Sequence, residues 1–232
     1  MTTNAGKPAK TAKATKTTTI AKLTSIDPEP PDPSVVQAAV DVANQGGILA
    51  FPTDTLYGIG CLLSPTAPID RIARMRGIDM SERPFTLMLP DVGALPHYAR
   101  LGETAYEVVN RIFPGPYCVE LAPSPRMAAS PLQAGRETIG VRIPANAFCQ
   151  KLLWRLGRPL VTVTAKDERG QLLSTAAAIA AAYGKEIDLV VDGGTLDGLP
   201  STVVSLVDDW VTVLREGRGQ TDKILLVTPG RD

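Results

Sequence analysis

Histidine is nearly missing from this chain: His97 is the only one in 232 residues. A catalytic triad needs an imidazole base and a histidine-rich metal site needs several, so both chemistries are disfavoured. Cysteine is scarce as well. Cys61, Cys118 and Cys149 are odd in number and far apart, which suits neither a disulfide framework nor a zinc knuckle and points to a reducing, cytoplasmic compartment. Lysine plus arginine and aspartate plus glutamate each number 24, a formal charge of zero. Attraction for an anion therefore has to come from local clusters of Arg and Lys. No apolar run approaches the roughly 18 residues of a membrane helix. A metal-ligand motif, a phosphate-loop lysine motif and a nucleophile elbow are also absent. Gly58-Ile59-Gly60 lacks the third glycine and the helix start of a dinucleotide fingerprint.

Through position 26 there is no acidic or aromatic residue, and Lys7, Lys10, Lys13, Lys16 and Lys22 stand among threonines and alanines. Such a segment buries too little apolar surface to offset its ordering entropy. Residues 1–33 are therefore expected to be a disordered Lys/Thr/Ala-rich arm ending in a stiff, Pro-rich boundary. Its lysines read as a solvated surface or, more sharply, as weak unspecific attraction for phosphate. The arm has neither the arginines of a transit peptide nor the apolar block of a signal peptide. Without a second composition break or an internal repeat, residues 34–220 are expected to form one domain, with 221–232 as a C-terminal tail.

Within the domain, apolar spacing predicts helices over 34–45, 67–76, 102–112, 148–156 and 175–183. Strands are expected at 48–51, 57–63, 85–89, 117–121, 138–143, 160–164, 187–191, 202–206 and 211–215. This alternation argues an α/β layer fold, and the closely spaced strands at both ends argue a mixed sheet.

The chemistry-bearing residues gather at strand ends, where α/β proteins place their sites. Phe51-Pro52-Thr53-Asp54-Thr55-Leu56-Tyr57-Gly58-Ile59-Gly60 follows an apolar strand with two hydroxyls, a carboxylate, a tyrosine and two glycines. A simple turn uses one or two of these residue types, so the full set suggests a ligand. Arg74 and Arg76 close a helix, where cations favour the dipole, and a frayed end would present two guanidinium forks to a polyphosphate. Arg142 lies inside an apolar strand and should face a cleft or a carboxylate, because burying an unpaired guanidinium is costly. Arg215, at the end of another strand, poses the same question, with a solvated edge charge as the bland answer for both. Ser201 and Thr202 put two hydroxyls at a strand entry, suited to a turn cap or to phosphate oxygens.

In this order the motifs resemble the YrdC-like superfamily, whose best-understood members are threonylcarbamoyl-AMP synthases. Pro52-Thr53-Asp54-Thr55-Leu56-Tyr57-Gly58 is similar to its opening signature, and Arg74-Met75-Arg76 to its basic Lys-x-Arg pair. The Pro-Gly-Pro turn falls on Pro114-Gly115-Pro116-Tyr117 and the Val-Arg-x-Pro strand on Val141-Arg142-Ile143-Pro144. Pro200-Ser201-Thr202-Val203 and Leu214-Arg215-Glu216-Gly217 complete six ordered matches over residues 35–220. The resemblance implies a twisted open α/β sheet with flanking helices and a concave basic groove. It also implies synthesis of threonylcarbamoyl-AMP from L-threonine, bicarbonate and ATP, with Mg2+ on the phosphates, for threonylcarbamoyladenosine modification of tRNA.

On that footing Arg74, Arg76 and Arg142 are the expected catalytic cations. Arg74, Arg76, Thr164, Ser201 and Arg215 would hold the nucleotide, and Thr53, Thr55, Tyr57, Arg142 and Ser201 the threonine. No protein-held metal is expected. Three positions depart from the synthases. Arg74 stands where Lys is usual, Cys118 where Thr is usual, and Thr164-Ala165-Lys166-Asp167 replaces a Ser-Ala-Asn-like segment, so that a cation which only donates stands for an amide. Arg74-Met75-Arg76, Phe85-Thr86-Leu87-Met88, Thr138-Ile139-Gly140-Val141-Arg142 and Asp192-Gly193-Gly194 are closer to the YciO branch. Two alternatives to synthesis follow: a nucleotide- or RNA-binding protein without synthase activity, holding tRNA or double-stranded RNA, and a hydrolase of threonylcarbamoyl-AMP.

Overall fold

The structure is a computed structural model that describes residues 22–25, 30–63, 68–78, 85–130, 133 and 136–225. Among these, ten strands form one mixed sheet: β1 Lys22–Ser25, β2 Leu49–Phe51, β3 Gly58–Leu62, β4 Thr86–Met88, β5 Tyr117–Leu121, β6 Ile139–Arg142, β7 Leu160–Thr164, β8 Leu189–Asp192, β9 Thr202–Ser205 and β10 Thr212–Arg215. Their spatial order is β1-β8-β2-β3-β7-β4-β6-β5-β9-β10. The centre is largely antiparallel, β2 to β3, β3 to β7 and β7 to β4, while β4 with β6 and β5 with β9 are parallel. A sheet of this size twists right-handedly along its strands.

Helix α1, Pro33–Asn44, starts where its sequence says it should. Asp32 accepts from the Ser34 amide at 2.7 Å and Pro33 fills the first turn, where its missing N–H costs nothing. Helix α5, Ala147–Leu156, is capped by Asn146 and stopped by Gly157 in the left-handed region at φ 57°. These two helices pack together on one sheet face. Val36, Ala39, Leu152 and Leu153 meet Leu49, Phe51, Leu62, Met88, Leu160, Leu189 and Val191. Full burial stabilises by about 1.5–3 kcal/mol for each large aliphatic side chain.

Intervening residues of the same strands, Ala50, Ile59, Cys61, Leu87, Val161 and Val190, point to the other face. That face is covered by α2 (Ile69–Arg76), α3 (Glu103–Ile112) and α6 (Ala176–Tyr183). Short helices α4 (Pro125–Ala128) and α7 (Asp222–Leu225) complete the described elements, with 3₁₀ turns at Val92–His97 and Val207–Asp209.

Two segments expected to lie in the tails have structure. Lys22–Ser25 pairs parallel with β8. Main-chain hydrogen bonds to an open sheet edge need no apolar side chains, so composition gave no sign of this strand. Asp222–Leu225 forms α7, and Ile224 is fully buried in the core. In the arm's Pro-rich boundary, Asp32-Pro33 is the start of α1.

Candidate functional site

The sheet face that carries α1 and α5 has a second half those helices do not reach. Pairing places Gly58 opposite Thr164, Thr86 opposite Thr162 and Gly140, Glu120 opposite Gly140, and Cys118 opposite Val203. Alternation keeps all of these on one face. A cavity of about 420 Å³ lies over them. Its floor includes Thr86, Met88, Cys118, Glu120, Thr162 and Thr164, and its lining also includes Thr53, Tyr57, Ser201, Arg136, Arg142 and Arg215. At Gly140 an added Cβ would sit 3.2 Å from Glu120 and 3.4 Å from Thr86, so glycine there leaves room for both side chains.

The loop after β2 is built around Thr53. Its buried hydroxyl donates to the Leu56 carbonyl at 2.6 Å and accepts from the Thr55 and Leu56 amides at 3.1 and 3.2 Å. This turns Asp54 and Thr55 toward β6. Arg142 donates to the Asp54 carboxylate and, at 2.7 Å, to the Thr55 hydroxyl. The second Asp54 oxygen accepts from the Ala145 amide at 3.0 Å. Both side chains of the pair are close to nine-tenths buried, and Arg142 Nε is buried without a partner. The arginine inside an apolar strand thus faces both a carboxylate and a cleft.

Tyr57 lines the cavity, with its hydroxyl committed to the loop after β8. It donates to the Gly194 carbonyl at 2.8 Å and accepts from the Gly193 amide at 2.9 Å. Burial pushes its phenol above the usual tyrosine value. Ser201 is buried, its carbonyl accepts from Arg215 at 2.9 Å, and its hydroxyl has no partner among the described residues. Thr164 lines the same wall.

Arg74 and Arg76 are not brought to this cavity. Gly77, at φ 59°, ends α2, and Arg76, its last helical residue, reaches the loop after β7. There Arg76 donates to the carbonyls of Lys166 and Asp167, the latter at 3.0 Å, and to the Tyr183 hydroxyl at 3.3 Å. Arg74 is exposed and makes no side-chain bond among the described residues. Lys166 takes part through its backbone, its carbonyl also accepting from Tyr183 at 3.0 Å. The departure from the synthases therefore lies in the loop after β7, where Arg76 of α2 and Tyr183 of α6 meet the Lys166 carbonyl.

Thr86, Thr162, Glu120 and Arg136 were not singled out from the sequence. For Thr162 and Glu120 the sign was a polar residue at every second place in Val161-Thr162-Val163-Thr164 and in Cys118-Val119-Glu120, which marks a strand face not covered by apolar packing; Thr86 and Arg136 carried no such pattern. Glu120 accepts from the Thr138 hydroxyl at 2.6 Å and lies 4.0 Å from Arg136. Three guanidiniums therefore meet two carboxylates, Glu120 and Asp54, and the basic character of the cavity is largely compensated. Burial and the Glu120 charge push the Cys118 thiol up to about 11, so it is no nucleophile near neutral pH.

A polar cavity on a mixed sheet, rimmed by arginines and hydroxyls, has the donor set that suits small anionic or zwitterionic ligands. The Sua5/YciO/YrdC family model, described as telomere recombination, matches residues 41–217, and the chain belongs to that family. YciO of Escherichia coli strain K12 is 32% identical over 201 residues, covering 86% of this chain and 97% of the relative. The crystal structure of E. coli YciO matches with a TM-score of 0.80 over 88% of this chain and 99% of that one. A threonylcarbamoyl-AMP synthase of Bacillus subtilis is more distant, 29% identical over 188 residues, and this chain spans about half its length: 80% of the chain against 54% of the synthase. Sua5 of P. abyssi complexed with L-threonine has a TM-score of 0.76 at 25% identity, covering 89% of this chain and 61% of that one.

Proposed function

We propose that the cavity binds L-threonine and ATP and forms threonylcarbamoyl-AMP with release of pyrophosphate. The observation that carries this is the convergence of Arg142, Arg215, Thr164 and the Ser201 hydroxyl, unpartnered among the described residues, on one cavity whose thiol, Cys118, is held protonated. Likeness to a threonine-bound Sua5 supports the amino-acid half. In the reaction the threonine amine adds to bicarbonate with loss of water, giving a carbamate. A carbamate oxygen then attacks the α-phosphorus and the bond to pyrophosphate breaks. No covalent protein intermediate is needed, and catalysis falls to positioning and to cations that neutralise charge at the phosphates.

Thr53, Thr55 and Arg142 would define the threonine end, with the Tyr57 ring as its wall. Arg215, Ser201 and Thr164 would hold phosphate oxygens. Mg2+ would enter as an ion carried by the triphosphate. The test is pyrophosphate release from ATP, L-threonine and bicarbonate with Mg2+, beside mass spectrometry for the adenylate. No release and no adenylate overturns synthase activity.

A second reading is favoured by one observation. Arg76, the second residue of the basic pair, is tied to backbone carbonyls away from the cavity. A YciO-like protein that binds nucleotide or RNA without synthesis fits that arrangement. It is supported if ATP binds with no turnover and the Lys166→Asn variant gains none.

A further inference from the structure

The face of α5 turned to solvent is unlike an ordinary helix surface. Lys151, Trp154 and Arg155 are exposed at the i, i+3, i+4 spacing that aligns side chains on one helix face, and exposed Arg158 follows just past Gly157, where the helix has ended. Trp154 is 78% exposed, the most exposed large apolar side chain among the described residues. A tryptophan so placed loses the burial that normally justifies its size.

The cations around it are not neutralised. Residues 147–156 include no acid. Arg155 donates to the Gln37 side-chain oxygen and Arg158 to that of Asn44, both at 2.8 Å, contacts that hold two guanidiniums in place without cancelling their charge. The nearby Asp41 accepts from Gln37. Beside the tryptophan, Pro33 and Val36 of α1 and the stems of Gln150 and Lys151 wall an open groove of about 490 Å³. In a chain with no net charge this is a local positive stripe with a bare aromatic plane at its centre.

We propose that this stripe is a stacking platform for single-stranded nucleic acid, separate from the cavity, with a base on Trp154 and phosphates on Lys151, Arg155 and Arg158. The chemistry is that of single-strand readers. An aromatic face accepts any base, and flanking cations follow the backbone. A protein partner for an exposed tryptophan would need acidic or apolar complementarity and no cations in particular; the positive stripe favours a polyanion.

The experiment uses the full chain carrying Trp210→Phe, so that Trp154 is the only indole, and a labelled 12-residue oligouridylate. Saturable quenching of Trp154 fluorescence is expected, with anisotropy giving the same Kd. Trp154→Ala should weaken binding by roughly tenfold or more, the effect of losing one stacked base, and Trp154→Phe should restore part of it. Lys151→Gln should lower the slope of log K against log salt by about 0.7. Because Trp154 and Lys151 are exposed, these variants should melt within a few degrees of the parent. Three results overturn the proposal. They are no binding at all, binding that Trp154→Ala leaves unchanged, and self-association of the parent that Trp154→Ala abolishes without any oligonucleotide signal.

Discussion

Arg142 on β6 donates to the carboxylate of Asp54, which lies 88 residues earlier in the loop after β2. That bond joins the two ends of the candidate site. It fixes a guanidinium at the rim of the cavity while Asp54 is itself held by the Ala145 amide at 3.0 Å. Arg142→Gln should therefore destabilise the protein by about 3 kcal/mol, the cost of stranding a largely buried carboxylate. Urea denaturation of the variant against the parent measures it, and Asp54→Asn should lose less, because the amide still accepts from Arg142.

Arg215 and Arg76 should separate cleanly in a binding assay. Arg215 reaches the cavity through its contact with the Ser201 carbonyl, so Arg215→Ala is expected to weaken ATP binding by roughly tenfold, the worth of one charged hydrogen bond. Arg76→Ala should leave ATP affinity nearly unchanged and expose the loop after β7 to protease, since Arg76 ties the Lys166 and Asp167 carbonyls to α2. Calorimetry and limited proteolysis on the two variants check this.

Lys166→Asn is expected to change stability by less than about 0.5 kcal/mol, because Lys166 contacts Arg76 and Tyr183 only through its backbone carbonyl. Thermal melting decides the point independently of any gain in pyrophosphate release.

The cavity thiol should be silent to alkylating reagents near neutral pH. Cys118 sits at about 11 and Cys61 at about 12, both raised by burial, so the reactive thiolate forms only as the pH rises toward those values. Mass spectrometry of iodoacetamide-treated native protein across a pH series should show Cys118 labelled only at the alkaline end, and slowed there by bound ATP.

Asp209, in the left-handed region at φ 63°, caps α3 from outside by accepting from the Ala105 amide at 2.8 Å and the Thr104 amide at 3.1 Å. These bonds hold its carboxyl below the usual 3.8. A depressed folded-state value means the stabilisation is complete above the unfolded value and is lost as pH falls below it. Asp209→Ala should cost about 1 kcal/mol or more at neutral pH, and the difference from the parent should shrink in acid to the backbone penalty of alanine at positive φ, as read by denaturant melts at several pH values.

Much of the fold was legible because its signals are local. Asp32-Pro33 before an apolar helical period, Asn146 before α5 and Thr175 before α6 are capping signals contained within a few residues. The alternation of strands and helices, and the six ordered motifs, are likewise properties of the chain in one dimension. They identified the sheet architecture, the family resemblance and the loop at Thr53-Asp54-Thr55. The edge strand at Lys22–Ser25 was not legible, because its support is the open edge of β8, more than 160 residues away in sequence.

The sequence by itself determined that an arginine inside the apolar strand Ile139–Arg142 had to meet a carboxylate or a cleft, since a buried unpaired guanidinium is too costly. Only the tertiary structure decided that it meets both, and that Asp54 is the carboxylate. The same holds for the basic pair in the last turn of α2: its residue types suggested phosphate, and the structure shows Arg76 donating to the Lys166 and Asp167 carbonyls. Periodicity tells which residues share a face of one strand. Which strands lie side by side is set by long-range packing of the β3-β7-β4-β6-β5-β9 order, and that order gathers Thr86, Cys118, Glu120, Thr162 and Ser201 around one cavity.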